Sequence, residues 1–139
     1  MTTEFIYHFI RTHKYAVIAT VSADHASESA CIGIAVNHKL HIIFETLSDS
    51  RKYNNLLLNP KISLVIGWEN EETIQYEGIA KVSVNPVPEE LMNTYFEVFP
   101  DGRNRIDHVK NIAYCWIEPQ WIRYSDFTGS VPFIKEIRF

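Results

Sequence analysis

Arg51 and Lys52 stand at a point in the chain where two cations are poorly placed unless something anionic faces them. They follow Glu45-Thr46-Leu47-Ser48-Asp49-Ser50, and the stretch runs on through Tyr53-Asn54-Asn55-Leu56 to Asn59-Pro60. The pattern predicts a strand up to Phe44 and then a short helix, capped by Asp49 or Ser48 and stopped by Pro60. Both cations fall in its first turn, where the macrodipole is positive and carboxylates are the stabilising choice. Each costs about 0.3 kcal/mol there unless an anion lies in front of it. Unpaired first-turn amides, the hydroxyls of Thr46, Ser48 and Ser50, and the two cations form a donor set suited to a phosphate group. A solvated helix start, its long side chains reaching water, is the other reading of the same residues.

Other chemistries find less support. His38 and His41 are three apart on a hairpin, with no Cys or acid cluster to complete a metal set. Cys31 and Cys115 have no histidine near in sequence, and no Gly-x-Ser-x-Gly elbow occurs. Neither a dinucleotide glycine fingerprint nor a P-loop is present among only five glycines. The acid pairs Glu71-Glu72 and Glu89-Glu90 fit a charged turn and a helix start. Without an acid–base constellation, any redox chemistry must be carried by a cofactor.

The elements that position these residues follow from patterning. Thr2 or Thr3 caps a first helix whose apolar stripe is Phe5, Ile6, Phe9 and Ile10, a core or dimer surface. Strands are expected at residues 14–21 and 27–36, with a turn at Asp24-His25. In the second, Ala30, Ile32, Ile34 and Val36 share a bulky face and Ser29, Cys31, Gly33 and Ala35 a small one. A small face admits another chain segment or a flat ring. After the Asn37-His38 turn come strands at 39–44, 61–68 and 73–84, the last broken at Gly78 in the manner of a bulge. Pro86-Val87-Pro88 launches a helix over 89–99, and residues 103–108 read as a polar loop. Strands at 109–117 and 120–127 flank a Pro119 corner, and 133–139 reads as an edge strand. Six or more strands with few short helices predict an antiparallel barrel in a single α+β domain of 139 residues.

Composition bounds the function. A net charge of -4 and a pI near 5.8 argue against nucleic acid or an acidic membrane as the main partner. No run approaches the roughly 18 apolar residues of a membrane span. Glu4 within the first helix is unlike a signal peptide. Two cysteines far apart in apolar runs predict buried, reduced thiols and a cytoplasmic protein.

Taken in order, IAT, the small-faced strand, ETLSDSRKYNNLLLNPKISLVIGW and YEGIAKV resemble the pyridoxamine 5′-phosphate oxidase-like family. The resemblance covers about residues 14–85 and continues more loosely through WIEPQWIRYSDF, residues 116–127. It implies a split β-barrel that binds FMN at a homodimer interface. By position, Arg51 and Lys52 would hold the FMN phosphate, helped by Ser50 and Thr46. The backbone of Ile32, Gly33 and Ile34 would lie against the isoalloxazine ring. Thr73 or Gln75 would reach the ring or ribityl chain, and Trp121 and Tyr124 would form an aromatic wall from the partner subunit. The true oxidase has a basic residue opening the strand that here begins at Ala30, and a longer C-terminal region that grips the substrate phosphate. Neither has a clear counterpart here, so oxidation of pyridoxamine phosphate is not expected. The resemblance implies instead a flavin-dependent oxidoreductase acting on another small molecule. A non-catalytic flavin or haem protein, or a deazaflavin binder, is the alternative; for haem the axial candidates are His38, His41 and His108.

Overall fold

A computed structural model describes residues 1–82 and 86–139. The chain runs α1 (Thr3–Arg11), β1 (Tyr15–Val21), β2 (Ser27–Val36), β3 (Ile42–Leu47), α2 (Arg51–Leu58), β4 (Lys61–Ile66) and β5 (Glu72–Lys81). It continues through α3 (Glu89–Val98), α4 (Gly102–His108), β6 (Ile112–Asp126) and β7 (Phe133–Arg138). All pairings are antiparallel, in the order β3-β2-β1-β4-β5-β6-β7. The sheet closes on itself because β3 also pairs with β6, Ile42 opposite Ile117 and Leu47 opposite Ile112. Six strands thus make a closed barrel, which leaves β7 as the edge strand expected from the sequence.

Alternation decides which side chains fill the barrel. Ile18 and Thr20 of β1, Ile32, Ile34 and Val36 of β2, Phe44 of β3, and Leu64 and Ile66 of β4 point inward, so the bulky face of β2 is in the core as predicted. Tyr76 crosses the interior fully buried, its hydroxyl donating to the carbonyls of Leu40 (2.8 Å) and Ile117 (3.3 Å). Burial pushes that phenol well above its ordinary range. On α1, Thr2 Oγ1 accepts from the Phe5 amide, and Ile6, Tyr7 and Ile10 are the residues that bury fully. Phe5 and Phe9 lie edge-on to Tyr124. A second apolar cluster forms where α3 covers Ala35 and Ile43 with Leu91, Tyr95 and Phe96.

Several boundaries differ from the sequence reading, each for a local reason. β3 starts at Ile42 rather than residue 39, because Asn37 Oδ1 accepts from the amides of Lys39 and His41 and Leu40 takes φ 61° in that turn. β4 ends at Ile66, since Gly67 has φ 72°. The expected polar loop at 103–108 is helical. The two strands around Pro119 are one, because the extra residue there is taken up as a bulge in β6: Glu77 pairs with Trp121 and Gly78 with Pro119, which has no amide to donate, and Gln120 is left unpaired. The tail of the predicted 73–84 strand, Ser83 and Val84, lies outside the described residues. Cys31 is exposed on an outward position of β2, contrary to expectation. Cys115 is buried, and burial raises its thiol to about 12.

Candidate functional site

The start of α2 is built from side chains that hold one another. Ser50, not Asp49 or Ser48, is the N-cap: its Oγ accepts from the Tyr53 amide (3.2 Å) and lies 2.9 Å from Thr46 Oγ1 at the end of β3. Ser48 sits in the preceding loop, its amide donating to the Asn111 carbonyl (2.7 Å). Asn59 and Pro60 end the helix as predicted. The first-turn amides of Arg51 and Lys52 have no intrahelical acceptor, as in any α-helix. Arg51 and Lys52 therefore open onto a recess of about 110 Å³, lined also by Ile18, Thr20, Glu28, Ser29 and Ala30. Lys52 forms no ion pair among the described residues.

Sequence reasoning missed the acid in this recess. Glu28 Oε2 accepts from Arg51 Nη1 (2.9 Å) and its Oε1 accepts from Asn55 Nδ2 (2.8 Å). Asn55, 7% exposed, also donates to Thr20 Oγ1 (3.0 Å) and so ties α2 to the barrel wall. The available signal was the period of β2: Glu28 shares the face of Ala30, Ile32 and Ile34, where a charge needs partners.

The other predicted residues sort by face. Ile32 and Ile34 point into the core. Gly33, on the opposite face, lies under Phe99, so close that an added Cβ would come within 2.7 Å of Phe99 Cζ. A flat ring does cover Gly33, but it belongs to this chain. Ser29 and Cys31 are the part of the small face left open. Thr73, Gln75 and Trp121 stand on the outward face of β5 and β6 and do not line the recess of Arg51 and Lys52. Thr73 Oγ1 donates to the Ile66 carbonyl (3.4 Å), Gln75 is exposed opposite Val65, and Trp121 Nε1 donates to Glu136 (3.2 Å). Tyr124 is buried beneath α1 and donates to Glu72, a structural place rather than an open aromatic wall.

A second polar cluster holds α4 to the barrel. Glu45 receives Arg105 through Nε (3.1 Å) and Nη2 (3.3 Å), and accepts from the Tyr114 hydroxyl (2.9 Å). Tyr95 completes the group, its phenol raised to about 12 by burial and by the Glu45 charge. Glu45→Ala leaves the guanidinium and two hydroxyls without their acceptor. It is expected to cost about 2 kcal/mol in a denaturant titration. A change below about 0.5 kcal/mol would mean that α4 docks without it.

Among the described residues, no group of three or more His, Cys, Asp or Glu comes together for a metal, and no helix is long and apolar enough to cross a membrane.

A closed antiparallel barrel of six strands with one further edge strand and short helices defines the class of fold, and the comparisons name the family. The family described as pyridoxamine 5′-phosphate oxidase matches residues 2–126, nearly the whole chain, and the chain belongs to it. Comparison with curated proteins returns no match. Among solved structures, the General Stress Protein 26 from Bacillus anthracis is similar over 99% of this chain and 98% of its own, at 20% identity and TM-score 0.73. A pyridoxamine 5′-phosphate oxidase-related, FMN-binding protein from Nostoc punctiforme covers 98% of this chain and 93% of its own (11% identity, TM-score 0.68). A haem-binding protein from Mycobacterium smegmatis covers 99% of this chain (11% identity, TM-score 0.80), while the chain spans only 58% of that protein's length. These likenesses establish the split β-barrel fold.

Proposed function

We propose that the protein is an FMN-binding flavoprotein that works as a pair of identical chains, as an oxidoreductase on a small molecule. The observation that carries this reading is the α2 start in a chain of this family: Arg51 and Lys52 line the recess, and Ser50, bonded to Thr46, caps the helix just before them. The donor set fits a phosphate, and a recess of about 110 Å³ is far below the 300–1,000 Å³ of a whole-ligand pocket. It therefore takes the phosphate end alone, and the rest of the cofactor lies outside, toward the open Ser29–Cys31 part of β2. Bound FMN supplies hydride and electron transfer. The chain's own part is to fix the phosphate with Arg51 and Lys52 and to hold Ser50 in place through Thr46.

Support for the pair comes from the outward face of β1, β2 and β4. Val17, Ala19, Cys31, Ser63 and Val65 form a flat surface of small and apolar side chains, bordered by exposed Tyr15. A second copy covering it would bring Gln75 and Trp121 of one chain toward the cradle of the other. Val65, 39% exposed, reports on this: Val65→Glu is expected to give a folded monomer by light scattering that no longer retains FMN. A folded V65E dimer with normal FMN affinity would remove the face from consideration.

The visible spectrum after incubation with FMN and gel filtration tests the whole reading; a flavin spectrum co-eluting with the dimer supports it. One observation favours haem as the second reading. His108 lines a groove of about 620 Å³ with Met92, Ile106, Val109, Ile112 and Tyr114. His38 is stacked on Tyr7 at 4.0 Å, and His41 is partly buried beside Trp116, burial lowering its pKa. A Soret band in place of a flavin spectrum would select this reading.

A further inference from the structure

We infer that Glu28 is the resident counter-ion of the cradle and sets which anions it accepts, penalising a dianionic phosphate relative to a group of lower charge. The inference rests on the phosphate assignment above and concerns a residue that assignment does not use. Arg51 is 73% exposed at its side chain, so releasing it from Glu28 to meet a ligand costs little. Glu28 is different. Its side chain is only 20% exposed, and Asn55, itself buried and bonded to Thr20, holds the second carboxylate oxygen at 2.8 Å. The carboxylate therefore stays in the recess when an anion enters.

The charge balance then decides. Arg51 and Lys52 bring two positive charges to the recess and Glu28 brings one negative, with no other charged residue lining it. A net of one positive charge matches a monoanion; a phosphomonoester dianion leaves one negative charge in excess. Ala30, where the resemblance leads one to expect a base, supplies no compensation. Two like charges about 6 Å apart at an effective dielectric near 40 oppose each other by roughly a factor of ten in affinity.

The test compares wild type with Glu28→Gln, which removes the charge and keeps one oxygen acceptor, for Asn55 or for Arg51, in place of two. The ligands are FMN, riboflavin, which has no phosphate, and inorganic phosphate. E28Q is expected to bind FMN and inorganic phosphate about tenfold more tightly and riboflavin unchanged. Equal or weaker binding of both phosphates by folded E28Q overturns the inference. A gain for inorganic phosphate, with no binding of FMN or riboflavin by either protein, supports the role of Glu28 while the flavin reading fails. If E28Q does not fold by circular dichroism, Glu28→Ala takes its place with the same expectations.

Discussion

Replacing Arg51 and Lys52 together by alanine is expected to lower FMN affinity by two to four orders of magnitude while leaving the fold intact. Hydrogen bonds to charged groups contribute about 1.5–3 kcal/mol each, and the double variant removes both cations that face the recess. Stability should fall only modestly. Glu28, 20% exposed at its side chain, loses its counter-ion but keeps its bond to Asn55, and Ser50 still caps the helix. Losing two cations from the positive end of the dipole offsets part of that loss. Fluorescence titration of FMN beside a thermal melt checks both halves. Unchanged affinity in the folded double variant would sink the assignment of these two residues, whatever the protein binds.

Gly78→Ala is expected to be among the most destabilising single methyl additions in the chain. An added Cβ would lie 2.4 Å from the Glu118 carbonyl oxygen and 2.7 Å from Ile117 Cγ2. Backbone on the partner strand must move to admit it, and it moves beside the β6 bulge at Gln120, where Pro119 already leaves the ladder without a donor. Overpacking of this kind costs about 3 kcal/mol, which for a chain of this size lowers the melting temperature by about 10 °C. A melt within about 2 °C of wild type would show that the bulge relaxes freely.

The sequence exposes most of this architecture because the strands alternate cleanly. β2 begins at Ser27 and ends at Val36, as its pattern predicts, and the inward set Ala30, Ile32, Ile34 and Val36 follows from period two. Pro60 ends α2 by chemistry that needs no tertiary context. The misses share a cause. The helix at Gly102–His108 has no side-chain cap, and part of what holds it is Arg105 reaching Glu45, sixty positions earlier. The continuity of β6 through Pro119 depends on where Gly78 falls in another strand. Gly33 is small because Phe99 needs the room. At the candidate site the cations were readable from their conflict with the helix dipole. Glu28 is marked only as a charge on the inward face of β2, because its partners Arg51 and Asn55 reach it once α2 folds over the end of β1.

Barrel closure has a consequence for how the protein is made. β3 finds its last partner in β6, so Ile42 waits for Ile117 to leave the ribosome. At roughly 5–20 residues per second that interval lasts several seconds. During it the open edge of β3 carries Ile42, Ile43 and Phe44, an apolar run able to pair with another nascent chain. Synthesis rate and chaperone supply therefore act on the yield of native protein through this interval, before the finished barrel's own stability comes into play.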